Sequence, residues 1–414
     1  MHPELFTIPF INLAVKSYGF MLMLGFLSAI WIGMRLAERV KASPDILLNC
    51  GIVCLFFGVG GARLFYVIHY WQTDFAFRPN PFWAALNISA GGLEYLGGLI
   101  GAVVGVVGYM ALRGRLFARN EPRLSLRLYL DILAPVAMWG LAFGRAGCFL
   151  NGCCWGGLCT DTHHQRQLPW AVTFPFSSGA HERQWMNRQV TVPAELIWDD
   201  PRYTQMSTLV PKSLLEMPPE ALRDLREFKK IDAQYQAEKA KGPVGDEFGR
   251  LEARWQAAQT AARKLAAKVM PVEPAKEYPS RKDPSRQTTL SELNELAERH
   301  RSLPVHPAQL YGIVNALLLS WVLVLIFNRR RRHGVVMGWM MLLYPISRFI
   351  LELVRVDNPH DVGGLTISQA FGLGLFVCGL LWMFVTYRLL PLRSPLAVPW
   401  IAPEMEKVPV KAGA

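Results

Sequence analysis

Seven long apolar runs constrain the fold of this chain more than any other feature of its sequence. About 20 consecutive apolar residues are enough for a helix to span the hydrocarbon core of a bilayer. We place such helices near 17–34, 46–71, 95–112, 128–143, 310–327, 334–353 and 365–387. The first run lacks a short charged leader and a small-residue cleavage site, so we interpret it as a retained helix and not as a signal peptide. The sequence therefore predicts an all-α integral membrane protein with seven transmembrane helices.

Basic residues in alternate loops predict the orientation of these helices. Arginine and lysine are concentrated in the short loops at 35–41, 113–127, 329–332 and 388–393. Positive residues mark the cytoplasmic side of membrane proteins, so the N-terminus is expected outside and the C-terminus in the cytoplasm. This pattern accounts for most of the formal charge of +12. Because the arginines are spread over separate membrane loops, no nucleic-acid partner is expected.

The composition changes between the fourth and fifth runs. Residues 176–303 are rich in charged residues, glutamine and alanine and contain no spanning run. Apolar residues recur there at spacings of three and four from Phe248 to Val269, which predicts a heptad seam. With a preceding helical stretch from Pro219 to Lys241, this predicts a periplasmic helical hairpin. The expected domains are a membrane domain formed by 1–175 and 304–390, the insertion 176–303 and a cytoplasmic tail, 391–414.

The fourth run leads into a stretch of glycines around an arginine, from Gly144 to Gly156. Glycine lets a backbone approach a ligand closely, and the planar guanidinium of Arg145 matches a phosphate group with two hydrogen bonds. The alternative is a positive anchor at the membrane interface followed by a flexible turn.

Polar groups from six different runs are expected at the outer half of the membrane. They are Tyr18, Arg63, the glycines from Gly91 to Gly98, Arg145, Asn151, His306, Arg348 and Glu352. Arg348, Glu352 and Arg355 are spaced four and three apart and share one helix face. Ionisable groups within a membrane usually face a cavity and mark a functional site. We therefore predict a site for an anionic phospholipid. The structural alternatives are that the glycines allow close helix packing, that Arg348 and Glu352 form a structural ion pair, and that His306 caps a helix.

Four of the seven cysteines crowd the predicted outer end of the fourth helix. They are Cys148, Cys153, Cys154 and Cys159. Disulfides are possible there, and the spacing C-x4-C-C-x4-C is not a usual zinc pattern. We favour a structural role over a metal site and expect no metal and no cofactor.

Five stretches together resemble the prolipoprotein diacylglyceryl transferase family. The sequence reads GRAGCFLNGCCWG at 144–156, HPAQLY at 306–311, SRFILELVR at 347–355, GGARLFYV at 60–67 and AGGLEYLGG at 90–98. The resemblance covers residues 1–175 and 304–390. It implies a multi-pass enzyme of the bacterial inner membrane that transfers the diacylglyceryl group of phosphatidylglycerol to the lipobox cysteine of a preprolipoprotein. A thioether forms and glycerol phosphate is released; the implied partners are this lipid, the lipobox signal peptides and membrane lipids.

The resemblance also implies roles for individual residues. Arg145, Arg348, His306 and Tyr18 are the expected catalytic residues. The expected substrate-binding residues are Arg145, Asn151, Gly152, Gly97, Gly98, Tyr311, Glu352, Arg355 and Arg63.

Three departures from the family pattern leave the general base open. Leu96 stands where many members have histidine, Gly312 stands where the HPxQLYE motif ends in glutamate, and cysteines replace asparagine and a carboxylate at 148 and 153. Two alternatives therefore stay open: a transporter for an anionic solute, or a catalytically inactive relative whose insertion is an interaction module.

Overall fold

The computed structural model describes most of the membrane domain and parts of the insertion. The described residues are 4–8, 13–76, 80–87, 92–116, 125–161, 166–199, 207–210, 215, 230–231, 234–235, 237–238, 249–257, 290–355 and 364–394. Two compact units are formed, one by Trp155–Pro307 and the other by His2–Cys154 with Ala308–Ala414.

Seven of the helices in these described ranges are long and apolar enough to cross a membrane. The helices of the larger unit, in chain order, are α1 (Ser17–Arg39), α2 (Pro44–His69), the short α3 (Pro81–Leu86), α4 (Tyr95–Leu116), α5 (Leu126–Asn151), α8 (Ala308–Arg329), α9 (Val335–Val354) and α10 (Ile367–Arg388). The two helices between α5 and α8, α6 (Gly179–Met186) and α7 (Leu290–Arg299), belong to the smaller unit. A two-stranded antiparallel sheet, β1 (Glu4–Ile8) and β2 (Leu13–Lys16), precedes α1. The predicted all-α membrane class and its seven spans are confirmed, and the orientation stays a prediction.

Helix α5 is longer than its apolar run. The hydroxyl of Ser125 accepts a hydrogen bond from the Leu128 N–H, and the helix ends at Gly152, whose φ of +78° is left-handed. We expected an end near residue 143, and this was wrong. Gly147 stays helical because α1 packs closely there: a Cβ on Gly147 would lie 3.0 Å from the Tyr18 ring. Helix packing thus offsets the low helix propensity of glycine.

The membrane helices pack mainly in four pairs, α1 with α5, α2 with α4, α5 with α8 and α9 with α10. Ile132, Ala134, Leu323 and Val336 are completely buried where α5, α8 and α9 meet. In a bilayer the remaining apolar surface faces lipid, so an exposed leucine or phenylalanine on these helices is expected.

Glycines join α2 to α4. A Cβ on Gly98 would lie 3.3 Å from the Gly58 carbonyl oxygen and 3.3 Å from the Ala62 Cβ. Gly97 is buried against Phe65 and Gly61. We expected irregular exposed backbone over 91–98. This was wrong from Tyr95 on, where the chain is helical. Gly91 lies outside the described residues. Helix packing through small residues explains this stretch.

A buried carboxylate ties α5 to α9. Asp131 accepts hydrogen bonds from the N–H groups of Gly334, Val336 and Met337, at 2.8, 2.9 and 3.2 Å. The Arg330 Nε lies 3.1 Å from the same carboxylate. A negative group at a helix N-terminus satisfies free N–H groups and the helix dipole. This contact fixes the two helices that carry Arg145 and Arg348.

The smaller unit contains α6 (Gly179–Met186), α7 (Leu290–Arg299) and a second antiparallel pair, β3 (Ile197–Asp199) with β4 (Ser207–Leu209). Phe176, Leu196 and Val210 belong to its buried core. Within the predicted hairpin, residues 249–257 are helical, and the Tyr235 ring stacks on Trp255 at 4.6 Å. Phe248, Val269 and most of the seam lie outside the described residues, so the hairpin stays a prediction.

Candidate active site

An open cavity of about 360 Å³ lies where α5, α8 and α9 meet. Arg145 of α5, Asn315 of α8, Tyr344 and Arg348 of α9, and Arg355 just after α9 are its main polar residues. Arg145 is six residues before the end of α5, Arg348 is six residues before the end of α9, and Ala308 begins α8. The cavity therefore lies near one end of the helix bundle.

Arg145 has an unusual position among the charged residues of this cavity. It is half-buried, and it forms no hydrogen bond or ion pair with any residue that the structure describes. Gly312 of α8 leaves space for its side chain, because a Cβ there would lie 3.2 Å from both Cγ and Cδ of Arg145. The departure from the family motif at Gly312 thus has a structural consequence. Among the described residues, Arg145 is thus contacted through packing and has no polar partner.

Arg348, Glu352 and Arg355 form a buried charged cluster beside Arg145. The Arg348 Nη2 lies 2.7 Å from the Glu352 Oε2, and the Arg355 Nη1 lies 4.0 Å from the same oxygen. The side chains of these two arginines are 11% and 8% exposed. The ion pair that sequence spacing suggested is present, and Arg355 brings a second positive charge to the same carboxylate.

The start of α10 supports this cluster. The Thr366 hydroxyl donates a hydrogen bond of 3.1 Å to the Glu352 Oε1, and Arg348 donates one of 3.2 Å to the Ser368 hydroxyl. Thr366 and Gln369 also form a capping box at this helix end. Our sequence reasoning missed both hydroxyl residues. The Thr-x-x-Gln pattern before an apolar run is a capping-box signal that could have located Thr366.

Three thiols converge at the end of α5, next to the cavity. The Sγ atoms of Cys148, Cys153 and Cys154 all lie within 4.8 Å of one another. Hydrogen bonds from the Cys148 and Cys153 thiols lower the pKa of Cys154, and the charges of Arg355 and Arg145 act in the same direction. Cys154 also lines the cavity.

The turn after α5 is held to α8 by a residue that sequence reasoning did not single out. The Gln309 side chain donates a hydrogen bond of 2.7 Å to the Cys153 carbonyl oxygen and is 1% exposed. Cys159, the fourth cysteine of the predicted group, belongs to the smaller unit, where it is buried and its N–H donates to the Pro304 carbonyl at 2.8 Å.

Several predicted site residues do not line the cavity. Tyr18 packs against Gly147 of α5. Asn151 is exposed at the end of α5, and the Gly152 N–H donates to the Cys148 and Phe149 carbonyls, which closes the helix.

Tyr311 is half-buried in the first turn of α8. Ala308 and Gly312, on either side of it in α8, line the cavity.

Backbone carbonyl groups surround the Arg63 side chain, and Gly97 and Gly98 lie in the contact between α2 and α4. The Arg63 guanidinium donates to the carbonyl oxygens of Ala84, Ala85 and Gly92 at 2.7, 2.7 and 3.0 Å. Arg63 therefore fixes the end of α3, and its role in substrate binding stays a prediction without support from this cavity.

His306 belongs to the smaller unit. Its N–H donates to the Gly157 carbonyl, and its own carbonyl accepts from the Gly156 N–H, both at 2.9 Å. These bonds fix the backbone two residues before α8.

Known proteins resemble this chain over most of its length. A profile of the family described as Prolipoprotein diacylglyceryl transferase matches residues 3–220 and 245–385. The gap, 221–244, is narrower than the insertion that we expected. A phosphatidylglycerol–prolipoprotein diacylglyceryl transferase of Rhodopirellula baltica is 26% identical over 417 aligned positions, which cover 91% of this chain and 73% of that protein.

Two further relatives carry the same name. The protein of Photorhabdus laumondii is 36% identical over 183 residues, 43% of this chain and 55% of the relative. That of Proteus mirabilis is 33% identical over 180 residues, 42% of this chain and 53% of the relative. The alignments with these two relatives thus span about half of their length. Since the profile match extends over well more than half of the chain, this membrane protein belongs to the prolipoprotein diacylglyceryl transferase family.

Proposed function

We propose that this chain transfers the diacylglyceryl group of phosphatidylglycerol to the lipobox cysteine of a preprolipoprotein, with the arginine-lined cavity holding the phosphate. The observation that carries this proposal is Arg145, a cation without a partner among the described residues, in one cavity with Arg348 and Arg355. A guanidinium offers two parallel N–H groups to a phosphate, which is a strong and directional contact.

The positive charge of the cavity stabilises the transition state of the transfer more than it stabilises the bound lipid. Three guanidinium groups line the cavity, and among the described residues the Glu352 carboxylate pairs with two of them. A phosphodiester carries one negative charge. When its bond to the glyceryl carbon breaks, the electron pair stays on oxygen and glycerol phosphate leaves with two. Preorganised positive charge therefore stabilises the transition state more than the ground state, which is the condition for catalysis.

The bond changes in this transfer are simple. The lipobox thiol gives up its proton, which ends on the released glycerol phosphate or in solvent, and its sulfur forms a bond to the glyceryl carbon while the bond from that carbon to the phosphate oxygen breaks. A thiolate is the effective nucleophile. Arg145 holds the leaving phosphate, and Glu352 with Thr366 and Ser368 keeps Arg348 in position for the same group.

We also propose that the cavity end of the bundle faces the outer side of a bacterial inner membrane. The basic loops at 35–41 and 329–332 follow the ends of α1 and α8 that are distant from the cavity. Positive loops favour the cytoplasm. A specific protease site inserted within 176–303 should be cut in spheroplasts, whereas one within 113–127 should be cut only after lysis. The reverse pattern would refute the orientation.

The function is tested by incubating the purified chain with labelled phosphatidylglycerol and a lipobox peptide. We expect a thioether adduct whose mass gain equals the diacylglyceryl group, and an equal amount of released glycerol phosphate. A peptide with serine in place of the cysteine should give no adduct. If a well-folded chain forms no adduct with the cysteine peptide, it is an inactive relative and the proposal is wrong.

A further inference from the structure

The backbone after α5 is folded so that three thiols meet. Gly152 and Cys154 both have left-handed conformations, with φ of +78° and +62°. These two positions turn the chain back toward the last turn of α5. The Sγ atoms of Cys153 and Cys154 thereby come within 4.8 Å of that of Cys148 and of each other.

This arrangement has a conformational cost that thiol contacts do not offset. A left-handed conformation costs a non-glycine residue about 1–2 kcal/mol, and a strained residue of this kind is often part of a functional site. Thiols are weak hydrogen-bonding groups. A disulfide would join only two of the three sulfurs and would leave the third without a role. Three sulfurs around one point are instead the ligand set of a thiophilic metal ion.

We propose that Cys148, Cys153 and Cys154 bind one Zn²⁺ ion. Zinc takes four ligands at about 2.3 Å from thiolate sulfur, so the three cysteines leave one position for water. Three thiolates with Zn²⁺ carry one net negative charge, whereas the same thiolates with a univalent ion such as Cu⁺ carry two. Buried net charge is costly, so the divalent ion fits this partly buried cluster better.

The ion would tie the turn to the helix end. Cys154 lines the cavity that contains Arg145, and Gln309 already holds the Cys153 carbonyl from α8. Zinc would fix this wall of the cavity in the same way that structural zinc sites fix short loops.

Metal binding by the full chain tests the proposal and does not depend on transfer activity. The purified protein in detergent is reduced, stripped of metal, exposed to Zn²⁺ and freed of excess ion before the zinc content is measured. Wild type should retain one zinc per chain. Cys153→Ser and Cys154→Gly should retain none above background, while Cys378→Ser, which removes an exposed thiol outside the cluster, should retain one. Co²⁺ as a substitute should give thiolate charge-transfer absorption in wild type and in Cys378→Ser only.

Two controls separate metal binding from folding and from oxidation. Glycine adopts a φ of +62° without strain, so metal-free Cys154→Gly should melt at or above the temperature of metal-free wild type, which rules out misfolding. Wild type that retains no more zinc than Cys154→Gly would overturn the proposal. A disulfide between two of the three cysteines, found by mass spectrometry in the protein as isolated, would also overturn it.

Discussion

Replacing Arg145 separates the positive charge from the geometry of the proposed phosphate site. Arg145→Ala removes both the charge and the two N–H groups, whereas Arg145→Lys keeps the charge but presents a point charge without the planar fork. The side chain has no hydrogen bond or ion pair to another described residue. Its loss therefore leaves no described residue without a partner, and the change in rate reports the contact with substrate.

The expected magnitude follows from the charges of the cavity. Arg145→Ala removes one of the three guanidinium groups that line the cavity, while the phosphate still gains one negative charge, from one to two, when its bond to the glyceryl carbon breaks. Loss of a preorganised donor of this kind costs about 10²–10³-fold in kcat, or about 2.7–4 kcal/mol. Arg145→Lys loses one charge-assisted hydrogen bond of about 1.5–3 kcal/mol, so kcat should fall about 10- to 100-fold. Because the extra charge appears only in the transition state, kcat should change more than KM.

The assay is the formation of thioether on a lipobox peptide at several concentrations of phosphatidylglycerol. Arg35→Ala is the matched control, since it removes an arginine whose side chain is 62% exposed and which pairs only loosely with Glu38 at 3.5 Å. This control should transfer at the wild-type rate. If folded Arg145→Ala also transfers at the wild-type rate, Arg145 does not hold the phosphate.

Three further substitutions test other parts of the site and of the smaller unit. Gly312→Ala places a methyl group 3.2 Å from the Arg145 side chain and should lower kcat about tenfold by displacing the guanidinium. The control Gly140→Ala, whose Cβ would meet only Ala29 at 3.9 Å, should leave kcat unchanged. Equal rates for the two variants would contradict this reasoning. His306→Gln should transfer at a near-normal rate, because the bonds by which His306 fixes the chain before α8 are backbone bonds. A fall of about 10²-fold that recovers as pH rises would contradict this and identify His306 as the general base. Burial, with a smaller contribution from His300, lowers the pKa of His181 to about 4. Between about pH 6.5 and 4 the unfolded chain therefore binds a proton that the folded chain does not, and the free energy of unfolding decreases as pH falls. At pH 5 the loss is about 2 kcal/mol relative to pH 7; thermal melts should show a smaller drop for His181→Leu, and an equal drop would contradict the assignment.

The membrane helices could be predicted because length and apolar composition are local properties of the chain. The spacing of Arg348, Glu352 and Arg355 placed them on one face of α9, and their ion pairs are present. The end of α5 could not be predicted in this way. Gly147 is compatible with a long helix only because Tyr18 of α1 packs on it, and that contact depends on which helices are neighbours.

The same limit applies to the cavity itself. Gly312 is one glycine among many in the sequence, and it matters for the site because the Arg145 side chain packs against it. The cysteine spacing did not predict that three thiols meet, because spacing alone does not reveal that Cys154 adopts a left-handed conformation. Arg63, an arginine in an apolar run, is surrounded by three carbonyl oxygens that the sequence could not reveal, and its role in substrate binding stays a prediction.

A structure of the chain with bound phosphatidylglycerol, determined by electron cryomicroscopy, tests the central claim most directly. The account predicts the lipid phosphate in the cavity between α5, α8 and α9, within about 3 Å of the Arg145 guanidinium nitrogens and beside Arg348. A phosphate bound outside this cavity, with Arg145 in contact with neither the phosphate nor the glycerol head group, would contradict it.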